Sequence, residues 1–330
     1  MSYGHSAPTS GSSSARGVTH VEVLADHVGR RIDNWLIAEL KSVPRSHIYR
    51  LLRTGQVRVN GGRVRPDYRI AAGDRIRVPP VKQDVAPSGV VPRGLIAAVS
   101  AAIVREEPDL LVLNKPAGLA VHGGSGESFG VIEALRAARP GEELELAHRL
   151  DRDTSGLLLV ARNLRTLREL HALLREGRVE KRYLALVLGA WNLGKTVVDA
   201  PLATHARRGG ERHVQVAERG KAARSTFTPV DFFGSRATLL EVSLDTGRTH
   251  QIRVHAAHAG HPVAGDPKYG TREANQELAA LGLRRMFLHA HALSFPWPSP
   301  DQLYTVSVPL PAELAQLLER LSATRRRRRR

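Results

Sequence analysis

Seven short apolar segments between residues 110 and 308 have strand character, and several of them follow one another with no helical segment between. They span residues 110–114, 144–147, 157–161, 183–188, 238–244, 286–295 and 304–308. Apolar residues at helical spacing predict four helices, at 131–138, 164–175, 249–259 and 312–321. Because a doubly wound parallel sheet alternates strands with helices, this order favours an α+β fold.

A smaller unit precedes these segments, at residues 18–80. Helical spacing predicts one helix over 32–40 and a second between Pro44 and Gly55. The turn sequence Asn60-Gly61-Gly62 predicts a hairpin, and a last strand is expected at 75–78. Cations crowd the second helix and the hairpin, which favours a phosphate-contacting surface over an ordinary solvated basic face. They are Lys41, Arg45, Arg50, Arg53, Arg58, Arg63 and Arg65.

The remaining stretches complete the domain organisation. Residues 1–17 are rich in Ser and Gly and predict a disordered tail, and Pro and Gly residues indicate a linker over 81–102. The strand and helix segments place a larger domain at 103–324. Six consecutive arginines at 325–330 predict a basic, disordered tail.

Charge and composition limit the classes of function. Lys and Arg number 49 against 32 Asp and Glu, a formal net charge of +17, which indicates a polyanionic partner such as nucleic acid. The chain has no cysteine, which excludes disulfide scaffolds, thiolate zinc sites and cysteine nucleophiles. We see no signal peptide and no apolar run of the ~20 residues that a membrane helix needs, so we expect a cytoplasmic protein.

The densest polar stretch is HRLDRDTSG at residues 148–156, between two predicted strands. Asp151 lies between Arg149 and Arg152, and nearby cations favour the ionised form of a carboxyl group. An ionised carboxylate suits a nucleophile or an electrostatic stabiliser better than a general acid. A turn held by salt bridges is an equally good interpretation. Asp153 could form a glycosidase pair with Asp151, but at two residues' distance a structural role is favoured.

A second candidate is LDTGRTHQIRVH at residues 244–255, where a strand ends, Gly247 makes a turn and a helix begins near Thr249. Arg248 at a helix N-terminus could hold a phosphate, and Arg253 could point from the helix into a cleft. The alternative is a capped helix with surface cations. His255 and His258 could share a helical face, but their spacing matches no zinc signature and we expect no metal site.

Tyr183 begins the fourth predicted strand, on the same face as Lys181 and Ala185. A buried tyrosine near a strand end is ordinarily part of the core. A tyrosine that faces a cleft could instead stack on a base or transfer a proton.

Together these stretches are similar to the motifs of the RNA pseudouridine synthases of the large-subunit ribosomal type. HRLDRDTSG resembles that family's signature, and KRYLALV at 181–187 and GRTHQIRVH at 247–255 resemble two further motifs in the expected order. LHAHALSFPWP at 288–298 is similar to a late motif, and residues 18–80 resemble the RNA-binding domain of the S-four type. The resemblance extends over residues 20–322 and is greatest to subgroup C, whose substrate is 23S ribosomal RNA.

The resemblance implies a catalytic domain with a mixed, mostly antiparallel sheet, and an isomerase of uridines in RNA that needs no cofactor and no metal. By position, Asp151 matches the catalytic aspartate, Tyr183 the tyrosine that contacts the target base, and Arg253 the arginine that pairs with the aspartate. Arg149 matches an arginine that helps to fill the place of the flipped nucleotide, and Leu288 matches the apolar floor under the uracil. Further RNA contacts are expected from Arg248 and from Arg45, Arg50, Arg53, Arg58 and Arg63.

Two other classes of function stay open at this point. A noncatalytic RNA-binding or ribosome-assembly protein would use the basic domain, but an acid at the centre of a basic cleft would repel its phosphates. A glycoside or nucleoside hydrolase would need a second carboxylate across the bond. We therefore predict a monomeric, cytoplasmic pseudouridine synthase that acts on 23S rRNA or on a large-subunit assembly intermediate. Nucleophilic attack and a glycal-type elimination are both compatible with the sequence.

Overall fold

A computed structural model of the protein describes residues 18–40, 43, 45–81, 90–123, 128–206 and 212–327. The contacts between residues divide the chain into two units, residues 1–90 and 91–330. The predicted tail at 1–17 lies outside the described residues. Among the described residues, no helix is long and apolar enough to cross a membrane.

The described part of the first unit contains two α-helices, a short 3-10 helix (Ala25–His27) and a three-stranded antiparallel sheet with the strand order β1-β3-β2. Ile32, Leu36 and Ile48 are fully buried between the helices and the sheet, which explains the helical spacing of the apolar residues. The elements are β1 (Thr19–Glu22), α1 (Ile32–Glu39), α2 (Arg45–Arg53), β2 (Arg58–Val59) and β3 (Arg75–Val78).

The predicted hairpin differs from the observed pairing. A tight turn is present, with positive φ angles at Asn60 (50°) and Gly61 (78°), and Val59 and Gly62 form an isolated bridge. However, β2 pairs with β3, Arg58 opposite Arg77, and not with the residues that directly follow the turn. The turn sequence indicates where the chain reverses direction. The strand that pairs with β2, however, is β3, which lies further along the chain.

The second unit begins with a helix that lies inside the predicted linker. This helix, α3 (Arg93–Ala101), turns the side chain of Val99 into the core, with Leu95 packed against it. The linker prediction is therefore wrong for residues 93–101, because the apolar residues there have helical spacing that the Pro and Gly content obscured. Residues 82–89 lie outside the described residues.

A ten-stranded sheet forms the centre of the second unit. Its order is β4-β5-β7-β14-β8-β13-β12-β9, with β6 beside β7 and β15 beside β14, and all pairs are antiparallel except β7–β14. The predicted α+β fold with a mixed, mostly antiparallel sheet is confirmed. Its ten strands are β4 (Ile103–Glu106), β5 (Leu110–Lys115), β6 (Glu145–Leu146), β7 (Ser155–Ala161), β8 (Glu180–Leu188), β9 (Thr196–Asp199), β12 (Arg224–Phe232), β13 (Ala237–Leu244), β14 (Leu288–Pro296) and β15 (Leu303–Ser307), and the unit also contains β10 (Leu202–Ala206) and β11 (Arg212–Val216).

Helices cover both faces of this sheet. Every residue of β7 is buried, because its two sets of alternating side chains enter two different apolar cores. Strands β10 and β11 form a separate two-stranded sheet. The helices after α3 are α4 (Val131–Ala138), α5 (Leu164–Arg175), α6 (Gln251–His258), α7 (Arg272–Ala280) and α8 (Ala312–Arg327).

The C-terminal arginines do not begin a separate tail at residue 325. The backbone of α8 continues through Arg327, because Leu314, Leu317 and Leu321 anchor its earlier turns in the core and the helix then propagates past them. The prediction of disorder is therefore wrong for residues 325–327. Residues 328–330 lie outside the described residues.

The backbones of β7 and β14 approach each other closely at the centre of the sheet. Gly156 has a φ of +114° and lies opposite Ala290 of β14, the strand that pairs in parallel with β7. A Cβ atom at Gly156 would overlap the carbonyl oxygen of Ala290 and lie 2.6 Å from its nitrogen. Only glycine allows the two backbones to approach in this way.

We therefore expect Gly156→Ala to destabilise the second unit strongly. Gly141→Ala is the matched control, because Gly141 also has a positive φ (+96°) but has no atom within 4 Å of the added Cβ. The control should lower the free energy of unfolding by about 1 kcal/mol and Gly156→Ala by at least about 3 kcal/mol. Urea denaturation measures both losses. Equal losses in the two variants would contradict a close approach of the β7 and β14 backbones at Gly156.

Candidate active site

The loop that carries Asp151 lies between β6 and β7, at the end where β7 meets β14. The backbone N–H of Thr154 donates to the carbonyl of Asp151 (3.1 Å), which closes a turn. The N–H of Gly118 donates to the carbonyl of Arg152 at 2.9 Å. The side chain of Asp151 is 18 % exposed. The loop is thus held at its backbone while one carboxylate faces a cleft.

Lys115 stabilises this loop by a hydrogen bond to its backbone. It is fully buried, and its Nζ donates to the carbonyls of Pro116 (2.8 Å), Leu119 (2.8 Å) and Arg152 (3.0 Å). Burial lowers the pKa of Lys115 to about 7. Its contacts tie the residues after β5 to the Asp151 loop. No local pattern indicates this role, because a lysine at the end of an apolar strand ordinarily reaches solvent.

Arg253 joins two carboxylates. From α6, its Nε and Nη2 donate to the two oxygens of Asp266 at 2.7 and 2.9 Å, and its Nη1 lies 3.4 Å from Oδ2 of Asp151. Burial opposes the charge of Arg253, but the hydrogen bonds and charge of Asp266 raise the pKa of the guanidinium above its usual value. The bidentate pair fixes the plane of the guanidinium, so its third nitrogen is aimed at Asp151.

Asp266 is a fully buried carboxylate that no motif of the sequence indicates. Burial opposes its ionisation, but Arg253 and the backbone N–H groups of Lys268 and Tyr269 hold its pKa below the usual value. Its sequence context, a Gly-Asp-Pro turn, resembles an ordinary surface turn. Only the tertiary structure places it behind Arg253.

His250 lies beside Asp151 in an unusual backbone conformation. Its φ is +55°, in the left-handed region, and its Nδ1 is 2.9 Å from the hydroxyl of Tyr269. Its Nε2 lies 3.8 Å from Oδ2 of Asp151, and the guanidinium carbon of Arg253 lies 5.1 Å from the centre of the Tyr269 ring. Burial lowers the pKa of His250 to about 4, so the imidazole is neutral at pH 7. Strained backbone of this kind is concentrated at functional sites.

Tyr183 and Leu288 form an apolar wall of the same cleft. Tyr183 is 8 % exposed and Leu288 is 3 % exposed, on the adjacent strands β8 and β14. Burial, together with the charge of Asp151, raises the pKa of Tyr183 above its usual range, so this residue is a neutral phenol. Leu150 and Leu244 also line the cleft. Apolar side chains thus lie beside the ion pair of Asp151 and Arg253 in this cleft.

Five of the residues predicted from the sequence come together in this cleft, namely Asp151, Tyr183, Arg253, Arg149 and Arg248. Arg149 and Arg248 are exposed, and the Nε of Arg248 donates to the carbonyl of Ala222 at 3.0 Å.

The other predicted RNA-binding residues belong to the first unit. Arg50 and Arg53 are exposed on α2, and Arg58 and Arg63 are exposed around the turn that follows it. Arg45 begins α2, but its side chain lies outside what the structure describes.

Asp153 and the histidines of α6 lie apart from the cleft chemistry. The carboxylate of Asp153 pairs with Nε of Arg152 at 3.2 Å, and Asp151 is the one acid among the described residues that line the cleft. Both ring nitrogens of His255 are engaged, with the Ser225 hydroxyl and the Ala200 carbonyl, each at 2.9 Å. In the described part of the chain, no group of three His, Cys, Asp or Glu residues could hold a metal ion.

Comparison with known families gives two matches along this chain. Residues 109–258 match the model of the RNA pseudouridylate synthase family, and residues 30–76 match that of the S4 domain. The first region contains Asp151, Tyr183 and Arg253. The second lies within the first unit.

The chain is also similar to complete proteins. It is 50 % identical to the ribosomal large subunit pseudouridine synthase C of Yersinia pestis, over 90 % of this chain and 94 % of that one. Its identity to the protein of the same name from Escherichia coli K12 is 48 %, over 92 % and 97 % of the two chains. Among solved structures, human RNA pseudouridylate synthase domain containing 4 matches with a TM-score of 0.58 and 26 % identity, over 69 % of this chain and 96 % of that one.

The two carboxylates around Arg253 should differ in their effect on stability. Asp266→Asn leaves a buried guanidinium without its bidentate partner, so we expect the free energy of unfolding to fall by about 3–5 kcal/mol. Asp151→Asn removes a longer, partly exposed contact and should change it by less than about 1 kcal/mol. Urea denaturation at pH 7 measures both, with Asp153→Asn as a surface control. A larger loss for Asp151→Asn would make Asp151 a structural residue.

The same pair predicts a pH dependence of stability. Because the pKa of Asp266 lies below its ordinary value of 3.8 in the folded protein, its ionisation stabilises the fold above about pH 4. That contribution is lost as the pH falls through the lowered pKa. The stability difference between wild type and Asp266→Asn should therefore shrink when urea denaturation is repeated at decreasing pH below 4. A difference that stays constant down to pH 2 would contradict this linkage.

Proposed function

The chain belongs to the RNA pseudouridylate synthase family, and from that premise we propose that it converts uridines of large-subunit ribosomal RNA to pseudouridine. The observation that carries the proposal is the carboxylate of Asp151, held by Arg253 in a cleft that Tyr183 and Leu288 also line. Two relatives that are named for the ribosomal large subunit support the choice of RNA. The excess of cations and the S4 domain also agree with an RNA substrate.

The reaction keeps all atoms of the uridine. The bond between N1 of the uracil and C1′ of the ribose breaks, the base turns, and a new bond joins C5 to C1′. The proton on C5 is then lost and N1 gains one. Because a base inside a helix cannot be reached, the target nucleotide must first leave the stack and enter the cleft.

Asp151 acts at C1′ in this scheme. Its carboxylate either attacks C1′ or stabilises the positive charge that develops there as the bond to N1 breaks. Arg253 orients the carboxylate and is itself held by Asp266. Since Asp151 is the one acid among the described residues that line the cleft, the site lacks the second carboxylate with which a hydrolase activates water.

Tyr183 assists at the base, and Leu288 provides an apolar surface for the uracil. As a neutral phenol, Tyr183 can take the proton from C5 only if its own hydroxyl proton leaves at the same time. The carboxylate of Asp151, free again after the C–C bond forms, is the acceptor for that proton. Burial and the charge of Asp151 raise the pKa of Tyr183, so a preformed phenolate does not participate.

The basic residues bind the rest of the RNA. Arg149 helps to fill the space that the flipped nucleotide leaves, and Arg248 binds a phosphate at the mouth of the cleft. Arg45, Arg50, Arg53, Arg58 and Arg63 contact phosphates from the first unit. We propose 23S rRNA, free or in an assembly intermediate, as the substrate of a monomeric, cytoplasmic enzyme.

Asp151→Asn should abolish pseudouridine formation and leave RNA affinity within about twofold, since the substitution removes the group that acts at C1′ but no phosphate contact. The protein is incubated with an unmodified large-subunit rRNA transcript, and pseudouridines are mapped by carbodiimide adducts and primer extension. Asp153→Asn is the matched control and should stay active. Primer-extension stops that persist with Asp151→Asn would refute the proposed role.

Tyr183→Phe should lower the single-turnover rate by about 10²–10⁴-fold, the range for loss of a proton-transfer group. Because the phenol of wild type stays protonated, the wild-type rate should not rise between pH 7 and 9. Single-turnover assays across that range measure both effects. A rate that increases tenfold per pH unit in wild type, but not in Tyr183→Phe, would indicate a phenolate base instead.

A further inference from the structure

A second concave surface lies in the first unit, between the C-terminal half of α2 and the segment that follows β2. This Tyr49 groove has a volume of about 540 Å³, within the range of roughly 300–1,000 Å³ that is typical of sites for small ligands. It is lined by Tyr49, Leu52, Arg53, Arg63, Val64, Arg65 and Pro66. All of these residues are contributed by the first unit.

Tyr49 presents an aromatic surface whose position is fixed at one end. Its hydroxyl donates to Oδ2 of Asp33 at 3.0 Å, and Asp33 is 1 % exposed and also receives Nε and Nη2 of Arg31 at 3.1 and 2.7 Å. The Tyr49 residue is nevertheless 43 % exposed, while the neighbouring Leu52 is buried. A large aromatic side chain is thus held at its hydroxyl and is partly exposed to solvent.

The rim of the groove is strongly basic. Arg53, Arg63 and Arg65 are exposed, and among the described residues none of these three guanidiniums pairs with a carboxylate. Arg63 lies against the turn after α2, where a Cβ at Gly55 would be 2.5 Å from its Nε. Glycine at this turn, with a φ of +69°, therefore leaves the space that Arg63 occupies.

We propose that the Tyr49 groove binds one unpaired nucleotide of the RNA substrate, with its base on the Tyr49 ring and its flanking phosphates on Arg53, Arg63 and Arg65. The inference rests on the proposed function for the identity of the polyanion. An anchored aromatic ring beside guanidiniums that pair with no carboxylate of the described residues is complementary to a nucleotide, which joins a flat aromatic base to a phosphate.

The shape of the groove selects the kind of RNA. A base in a duplex has both faces covered by its neighbours, so it cannot stack on a side chain inside a concave surface. A nucleotide in a loop, bulge or single strand can turn its base outward. The groove thus recognises an unpaired position in addition to the uridine that is modified.

Tyr49→Leu tests the stacking contact, with Tyr49→Phe as the matched control that keeps the ring. The full chain is titrated against an unmodified large-subunit rRNA transcript. We expect Tyr49→Leu to raise Kd by about 5- to 150-fold, the range for the loss of one stacked base, and Tyr49→Phe to stay within about threefold of wild type. An unchanged Kd for folded Tyr49→Leu would overturn the proposal.

The salt dependence separates stacking from phosphate contacts. Arg65→Gln should reduce the slope of log Kd against log salt by about 0.7, whereas Tyr49→Leu should leave the slope unchanged. Arg75→Gln, an exposed cation on β3 outside the groove, is the control and should also leave it unchanged. Equal reductions in Arg65→Gln and Arg75→Gln would overturn the assignment of phosphates to the groove.

A measurement on wild type covers the case in which Tyr49→Leu does not fold. The transcript is made with 4-thiouridine, cross-linked to the protein by ultraviolet light and analysed by mass spectrometry. Cross-links to the peptides that contain Tyr49 or Val64 are expected. Cross-links confined to the second unit would overturn the proposal.

Pseudouridine formation distinguishes this proposal from the proposed function. At limiting RNA, Tyr49→Leu should form pseudouridine more slowly, in proportion to its higher Kd, whereas Arg75→Gln, outside the groove, should keep the wild-type rate. Activity in wild type with an unchanged Kd in Tyr49→Leu overturns the groove and leaves the enzyme assignment intact. A wild-type protein that binds the transcript but forms no pseudouridine refutes the proposed function, whatever the Tyr49 variants do.

Discussion

The guanidinium of Arg253 is shared between two carboxylates of different character, and the chemistry of the cleft depends on that division. Asp266 takes two of its nitrogens at 2.7 and 2.9 Å in full burial, while Asp151 meets the third at 3.4 Å and stays partly exposed. The first pair is a fixed support, and the second leaves a carboxylate free to react. Residues from α6, from the following turn and from the loop before β7 thus act as one unit.

The fold brings these distant segments together through the close contact of β7 and β14. Gly156 lets the two backbones approach, and the residues on either side of this contact are the Asp151 loop and Leu288. Lys115, at the end of β5, then holds the loop by its carbonyl at Arg152. The sheet therefore provides a rigid base, and the reactive groups lie at strand ends and in loops, as is usual for binding and catalytic residues.

The sequence predicted most closely those elements whose signals are local. The bounds of α4 and α5 agree with the prediction, because each has a regular apolar face, and Asn163 caps α5 by accepting the N–H of Thr166. Strands β9 to β12 were missed, since they carry few apolar residues and several of those, such as Val230 and Phe232, are exposed. Asp266 and Lys115 were missed for a different reason. Their roles follow from partners that are far away in the chain, which no local pattern encodes.

The sharing of Arg253 also determines the electrical balance of the cleft floor. Two carboxylates face one guanidinium, and His250 is uncharged at pH 7, so these four side chains together carry one surplus negative charge. The mouth, with Arg149 and Arg248, is positive. Phosphates are therefore drawn to the rim and repelled from the floor, and the part of a nucleotide that can descend is the uncharged sugar and base. The surplus negative charge is neutralised when C1′ of the ribose becomes cationic. One negative charge therefore both excludes phosphates from the floor and stabilises the transition state.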